Sequence, residues 1–271
     1  YVGLGFSLAI LSVADHAHPS LLGWLDTGGA VEDVFVNGSY AYVASGPSCL
    51  IVNISNPQSP SIIGTYSDIW GLSGVVVSGN YAYVTAGGFG LRVLDISNPA
   101  NPTFAGAYVT PGPGYCADVA VSGIYAFIAD GSIGMITLNI SNPMVPVLVS
   151  TLDTPGIAFA VTIAGTYAYV ADAFAGLQVI NIANPATPFI AGSADTLGDA
   201  NDVRVSGSYC YVADGYSGLA VIQVSNPASP VIVGSLSTTG YAAGLAAVGN
   251  RAYVLNQFAE AGLQIINVAV P

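Results

Sequence analysis

The fold is decided by the stretch Gly90-Leu91-Arg92-Val93-Leu94-Asp95-Ile96-Ser97-Asn98-Pro99, because modified copies of it recur along the whole chain. Its Asn-Pro pair returns at intervals of 42, 44, 42 and 42 residues, at Asn56-Pro57, Asn98-Pro99, Asn142-Pro143, Asn184-Pro185 and Asn226-Pro227. A sixth, degenerate copy is Asp15-His16-Ala17-His18-Pro19. A repeat of this length predicts that one supersecondary unit is used again and again.

Each repeat contains four short β patterns. In the fifth full copy they are Val203 to Val205, Tyr209 to Ala213, Leu219 to Val224 and Val231 to Gly234. Their alternating β-branched and aromatic residues are typical of strands, and the Asn-Pro pair ends the third strand because Pro lacks a ladder donor. No helical period persists, so we expect almost no α-helix. Four antiparallel strands bury both faces only when such units stack, which predicts an all-β fold, a β-propeller of four-stranded antiparallel blades.

The sequence allows the ring to close in two ways. If strands A to D run outward from the axis, the chain contains six A and six D strands but seven C strands. In a six-bladed ring, which we favour, the D strand near Leu21 to Leu25 completes the last blade, and a C strand is left over, either Leu8 to Val13 or Leu263 to Val268. A seven-bladed ring instead lacks one A and one D strand.

Either closure leaves an incomplete edge within a single propeller domain of residues 1–271. Residues 1–25 are then closing or donated strands, since a spare strand is an unpaired edge or a donor to a neighbour. The predicted assembly residues are Leu8, Ile10, Val13, Leu263, Ile265 and Val268.

A family resemblance supports this interpretation. Together with Gly79-Asn80-Tyr81-Ala82-Tyr83-Val84, the stretch quoted first resembles the LVIVD repeat, and the likeness covers essentially the whole chain. The resemblance implies a β-propeller of the kind found in bacterial and archaeal surface and secreted proteins. It carries no catalytic motif, so it implies a fold and not an activity.

The charge balance of the 271-residue chain limits its partners. Fifteen acidic residues face only Arg92, Arg204 and Arg251, there is no lysine, and the net charge is −12. Nucleic acid is therefore excluded as a partner, because phosphate binding needs a basic footprint. No apolar run is long enough for a membrane span.

The polarity of the surface suggests where the protein works. Charged residues make up 7% of the chain, against about 25% in ordinary soluble domains. An uncharged polar surface favours packing against neighbours and predicts self-association. The alternative is a neutral, protease-resistant coat on a secreted protein. Both interpretations predict an extracellular or cell-surface location.

Acidic residues gather at the loops joining D to A and B to C, which leave a blade on one face. Asp33, Asp118 and Asp202 begin A strands, and further acids end B strands at Asp130, Asp172 and Asp214. Such carboxylates form a ring that holds a cation, or they accept backbone N–H groups and tie blade to blade. The densest oxygen cluster, Asp195, Asp199, Asn201 and Asp202, is a candidate Ca²⁺ site, although Cys210 stands where an EF-hand requires Glu. We expect no other cofactor.

Aromatic residues are expected on the same face. Trp24, Trp70, Tyr115 and Tyr241 are assigned to D-to-A loops, and Phe89, Phe174, Tyr216 and Phe258 to B-to-C loops. Together with Asp33 and Asp118 they suit a carbohydrate or protein ligand. Alternatively, they cap the core where blades meet.

Catalysis has little support in the sequence. The only histidines, His16 and His18, stand where other repeats have Asn-Pro, which favours a drifted turn over a metal half-site. No Ser/His/Asp or Cys/His arrangement is present, and the cysteines, Cys49, Cys116 and Cys210, are predicted to be buried.

The leading hypothesis is a non-catalytic extracellular scaffold that self-associates, such as a subunit of a fibre, sheath or surface layer. The alternatives are a binding module for a carbohydrate or protein and, less favoured, a hydrolase with a site built from loops.

Overall fold

The computed structural model describes residues 1–112, 114–258 and 262–268, and over these residues the chain consists of β-strands joined by turns and loops. The chain divides into two compact units, residues 1–124 with 139–147, and residues 125–138 with 148–271. In the described ranges, no helix has the length and apolar character that crossing a membrane would need.

Three antiparallel sheets lie within the first unit. The first sheet has three strands and the next two have four, each in chain order. Their strands are β1 (Val2–Leu4), β2 (Ser7–Ser12) and β3 (Ser20–Asp26); β4 (Val31–Asn37), β5 (Tyr40–Ser45), β6 (Ser48–Asn53) and β7 (Ser61–Ser67); β8 (Val75–Ser78), β9 (Tyr81–Thr85), β10 (Leu91–Asp95) and β11 (Thr103–Tyr108).

A further four-stranded sheet consists of β12 (Cys116–Ser122), β13 (Tyr125–Asp130), β14 (Met135–Asn139) and β15 (Val147–Leu152). The remaining sheets lie in the second unit, and the last of them has three strands. They comprise β16 (Ala160–Ala164), β17 (Tyr167–Ala171), β18 (Leu177–Asn181) and β19 (Phe189–Ala194); β20 (Asp202–Ser206), β21 (Tyr209–Ala213), β22 (Leu219–Gln223) and β23 (Val231–Leu236); β24 (Tyr241–Val248), β25 (Arg251–Gln257) and β26 (Gly262–Asn267). The predicted four-stranded antiparallel blade is confirmed.

The number of blades differs from the favoured prediction. The described residues form seven sheets, so the six-bladed preference is wrong and the seven-bladed alternative is correct. Strand β3 does not complete the last sheet. It pairs with β2 of its own blade, with Leu25 opposite Leu8. A hairpin partner a few residues away costs less chain entropy than a strand from the far end of the sequence.

The same pairing corrects one predicted assembly strand. Strand β2 pairs with β1 on its other edge, so it is the central strand of its sheet. Leu8 and Ile10 are exposed to only 0% and 3%, and Val13 follows the end of β2 half-buried. Leu8 to Val13 is therefore part of a core and not a spare strand.

The Asn-Pro pairs all form one kind of turn. The side-chain oxygen of each Asn accepts a hydrogen bond from the N–H two residues later, at 3.2 to 3.3 Å, for Asn56, Asn98, Asn142, Asn184 and Asn226. In the degenerate copy Asp15 does the same for Ala17 N–H at 3.0 Å. Exposed His18 lies with Nδ1 3.0 Å from Asp15 Oδ2, so the two histidines belong to a drifted turn.

Apolar side chains fill the space between consecutive sheets. In the first unit Ile51 of β6 packs in one cluster with Val84 and Leu94 of the next blade. In the second unit Val179 packs with Val212 and Ile222 in the same way. The cysteines Cys49, Cys116 and Cys210 are buried thiols. Burial raises the pKa of Cys49 to about 12 and also raises that of Cys210, so these thiols are inert at neutral pH.

Candidate functional site

The aspartates of the innermost strands bind backbone groups of two blades. Asp33 accepts hydrogen bonds from Val34 N–H at 2.7 Å and from Val75 N–H of the next blade at 2.8 Å. Asp202 contacts Val203 N–H and Leu245 N–H, both at 2.7 Å, in the same manner. These carboxylates therefore tie neighbouring blades together within each unit. The third, Asp118, accepts from Val119 N–H at 2.7 Å.

The aspartates that end B strands are more deeply buried. Asp172 accepts from the Thr154 hydroxyl at 2.7 Å and from Gly156 N–H at 2.9 Å. Asp214 accepts from Thr196 and Gly198 in the equivalent geometry, at 2.6 and 3.0 Å. Burial raises the pKa of both carboxyls, while the threonine hydrogen bonds oppose that rise.

The threonines of these pairs were not predicted from the sequence. The signal was present, since a Thr-x-Gly triplet precedes the innermost strand in five of the repeats, at Thr27, Thr110, Thr154, Thr196 and Thr238. In blades whose B strand does not end in aspartate, the threonine hydroxyl donates a hydrogen bond to a backbone carbonyl oxygen instead. Thr27 donates to Gly29 O at 2.8 Å, and Thr238 donates to Gly240 O at 3.1 Å.

The four predicted Ca²⁺ ligands have different surroundings. Asp195 and Asp199 are exposed, whereas Asn201 donates to Asp199 O at 2.8 Å and accepts from the Tyr241 hydroxyl at 3.0 Å. Asp202 binds the two backbone amides and Arg204, at 2.6 Å, while burial raises the pKa of its carboxyl. Over the described ranges, no group of three or more His, Cys, Asp or Glu side chains could hold a metal ion. The calcium site stays a prediction.

An aromatic cluster lies at the loops of the second unit. The ring of Tyr241 meets those of Tyr216 and Phe258 edge-on, at centroid distances of 5.0 and 5.9 Å. Beside it is an open depression of about 590 Å³, lined by Phe174, Asp195, Thr196, Leu197, Gly198, Asp199, Tyr216 and Ser217. Leu197 and Tyr216 are exposed to 87% and 76%. The depression thus combines apolar surface with two carboxylates.

The first unit holds its loop aromatics differently. Trp70 stacks on Phe89 with ring centroids 3.3 Å apart. Arg92 anchors this pair, because its Nε donates to Asp68 at 2.8 Å and its terminal nitrogen donates to Phe89 O at 2.9 Å. The hydroxyl of Tyr115 accepts from Ser73 at 3.2 Å. The loop between β7 and β8 therefore meets the loop between β9 and β10 at Trp70 and Phe89.

Two aromatic residues were assigned to the wrong element, since Tyr241, which the sequence placed in a D-to-A loop, is the first residue of β24. Trp24 lies inside β3, opposite Ala9, and is 62% exposed on the outer strand of its blade. The sequence placed Trp24 in a D-to-A loop although it also predicted a D strand near Leu21 to Leu25, and β3 includes this residue because it continues to Asp26. The sequence also missed the exposed loop residue Ile69, at 82%, because loop positions do not follow the strand alternation.

The other predicted assembly residues, Leu263, Ile265 and Val268, lie in or just after β26 of the second unit, and their role in assembly stays a prediction. Strand β26 pairs with β25, and within the described residues its sheet contains no fourth strand. Leu263 and Ile265 are half-buried on β26, and Val268 is buried just after it. An open groove of about 480 Å³ runs along this edge and is lined by Leu236, Ser237, Gln264, Ile265, Ile266 and Asn267.

Repeated antiparallel sheets of this type, four-stranded in all but the first and last blades, define a β-propeller protein. The chain belongs to the LVIVD repeat family, whose model matches residues 28–68, 72–110, 113–154, 155–196 and 197–238.

Solved structures share the fold at low identity. A functionally unknown protein from Desulfotomaculum acetoxidans DSM 771 is 15% identical with a TM-score of 0.77, over 96% of this chain and 92% of that one. A chain of the Mitotic Checkpoint Complex is 12% identical with a TM-score of 0.79, over 99% and 87%. BamB from Moraxella catarrhalis is 15% identical with a TM-score of 0.58, over 88% and 83%. These likenesses concern the fold alone, and no match was found among curated proteins.

Proposed function

We propose that the protein is a non-catalytic scaffold, outside the cell or on its surface, that self-associates as a subunit of a fibre, sheath or surface layer. The observation that carries this proposal is a set of exposed apolar side chains on outer strands. Each is more than half exposed: Trp24 of β3, Phe104 of β11, Val147 of β15 and Phe189 of β19. Contact between copies would remove this apolar surface from water, which favours association. The low charge content of the chain also supports the proposal, because few charged side chains must be desolvated when copies meet.

The test is the mass of the 271-residue chain in solution, measured over a range of concentrations and combined with negative-stain imaging. Since each copy carries a net charge of −12, association should strengthen when salt is raised from about 0.15 to 1 M and screens the repulsion. Ordered fibres or sheets would support the proposal of a fibre, sheath or surface-layer subunit. A monomer at every concentration and salt level would refute it.

A second candidate is a binding module for a carbohydrate or a protein. It is favoured by the depression of the second unit, where exposed Phe174 and Tyr216 lie beside Asp195 and Asp199. Aromatic rings stack on sugars, and carboxylates accept from their hydroxyls. Binding to a glycan array that is lost in Tyr216→Ala and kept in Phe189→Ala, which removes an exposed ring from β19, would support this candidate.

A further inference from the structure

We propose that the depression beside the aromatic cluster of the second unit binds an arginine side chain of another protein. This inference rests on the second candidate function, the binding module, and deepens it by naming the group that is bound. The depression is formed by the loops β17–β18, β19–β20 and β21–β22. Tyr216 supplies the stacking surface, and Asp195 and Asp199 supply the carboxylates.

The two carboxylates of the β19–β20 loop carry negative charge that no cation in the described part of the chain offsets. Asp195 and Asp199 are exposed, and among the described residues neither forms an ion pair. Of the two arginines in this unit, Arg204 is held in an ion pair of its own. Arg251 lies within strand β25, whereas the depression is lined by loop residues. The depression therefore has a negative charge that a cationic ligand would complement.

The walls of the depression are held in place before any ligand binds. Buried Asp214 accepts hydrogen bonds from the Thr196 hydroxyl at 2.6 Å and from Gly198 N–H at 3.0 Å, which fixes the β19–β20 loop. The ring of Tyr216 packs edge-on against Tyr241 at 5.0 Å, and yet Tyr216 is 76% exposed. Because these walls are ordered in advance, less conformational entropy is lost on binding.

A corresponding loop of the first unit shows how this molecule neutralises such an acid. The β7–β8 loop, like the β19–β20 loop, leads from the outer strand of one blade to the first strand of the next. In it Asp68 accepts a hydrogen bond from Arg92 Nε at 2.8 Å, and Arg92 also donates to Phe89 O. The ring of Phe89 in turn stacks on Trp70. A guanidinium of the same blade thus joins a loop carboxylate to a pair of aromatic rings.

The second unit has the acids and the rings but lacks this arginine. In β10, Arg92 lies opposite Val84 of the neighbouring strand. In β22, Ala220 lies opposite Val212 in the corresponding register, so Ala220 stands at the position of Arg92. Ala220 is 3% exposed and carries no charge. A guanidinium that neutralises the β19–β20 loop must therefore come from a ligand.

The chemistry of the depression favours an arginine of a different protein. A guanidinium is planar, so it stacks on an aromatic face while it donates hydrogen bonds to carboxylates. A neutral sugar also stacks, but it leaves both carboxylates without a counter-charge. A second copy of this chain is a poor source, because it has no lysine and its three arginines lie in strands β10, β20 and β25. A basic loop of another protein is also attracted by the net charge of −12.

The experiment measures, by NMR titration, the binding of a capped glycine-serine peptide that carries one arginine. The same peptide with citrulline, which keeps the planar shape without the charge, is the ligand control. Asp195→Asn and Tyr216→Ala change the site. Asp153→Asn is the matched control, because it removes one exposed carboxylate from the corresponding loop of the preceding blade, where Ile157 stands in place of Asp199. Thermal melts establish that each variant is folded, as expected for changes at exposed side chains.

We expect the citrulline peptide to bind about 10-fold more weakly than the arginine peptide, or worse. Asp195→Asn and Tyr216→Ala should each weaken binding of the arginine peptide about 3- to 5-fold, and Asp153→Asn should leave it unchanged. Equal binding of the two peptides would overturn the inference. Equal effects of Asp153→Asn and Asp195→Asn would also overturn it, because the peptide would then respond to net charge alone.

The glycan array separates this inference from the candidate function on which it rests. If glycans bind through Tyr216 and the arginine peptide does not bind, the arginine assignment is overturned while the binding module stands. If neither the glycans nor the peptide bind, both fail. Binding of the arginine peptide that is lost in Asp195→Asn and kept in Asp153→Asn supports both.

Discussion

At the scale of single residues, the pairs of threonine and aspartate link stability to pH. The Thr154 hydroxyl lowers the pKa of Asp172, which burial raises. Thr154→Val removes this hydrogen bond, so the pKa of the folded state rises further while that of the unfolded chain stays near its ordinary value. A carboxyl whose pKa is higher in the folded than in the unfolded state destabilises the fold as pH rises above the pKa of the unfolded state. We expect a loss of about 1–3 kcal/mol at pH 7 and a smaller loss at pH 4, measured by urea unfolding.

The control for this prediction is Thr238→Val, whose hydroxyl donates to the backbone oxygen of Gly240 at 3.1 Å. That bond involves no titrating group, so its loss should cost the same at both pH values. Equal losses for Thr154→Val at pH 4 and pH 7 would contradict the assignment of Asp172.

At the scale of elements, the outer strands depend on glycines that lie under the Asn-Pro turn of the next blade. A Cβ added at Gly192 would come within 2.5 Å of Pro227 O. At Gly244 of β24 the nearest atom among the described residues is Leu255 Cβ, at 3.5 Å, which is an ordinary van der Waals contact. Gly192→Ala should therefore cost about 1–3 kcal/mol of unfolding free energy, and Gly244→Ala should cost little. Similar melting temperatures for the two variants would contradict this account of the turns.

At the scale of elements, only part of the fold can be predicted from the sequence. The four strands of each blade and the Asn-Pro turn follow from the period, because alternation and turn chemistry are local. The pairing of β3 with β2 could not be predicted from the repeat, because β3 could equally complete the last blade. Chain entropy decides between these two partners. The bulge that shifts register between Val179 and Ile180 was likewise invisible. In the site, loop aromatics could be located approximately, but hydrogen-bond partners such as Thr154 and Asp172 depend on three-dimensional contacts.

At the scale of the whole molecule, the scarcity of basic residues predicts resistance to trypsin. The chain has no lysine, and its arginines, Arg92, Arg204 and Arg251, all lie in strands, β10, β20 and β25. A protease needs an extended, accessible segment, so cleavage should require unfolding. We expect intact chain below the melting temperature and fragments ending at these arginines above it, as mass spectrometry would show. Rapid cleavage of the folded protein would contradict this prediction.

The central claim is that copies of this chain recognise one another. Its most direct test is the weight-average mass of the 27.3 kDa chain as concentration increases. The account predicts a mass that rises from the monomer toward the dimer or larger assemblies, and rises further with added salt. A constant mass of one chain across the whole range would contradict it.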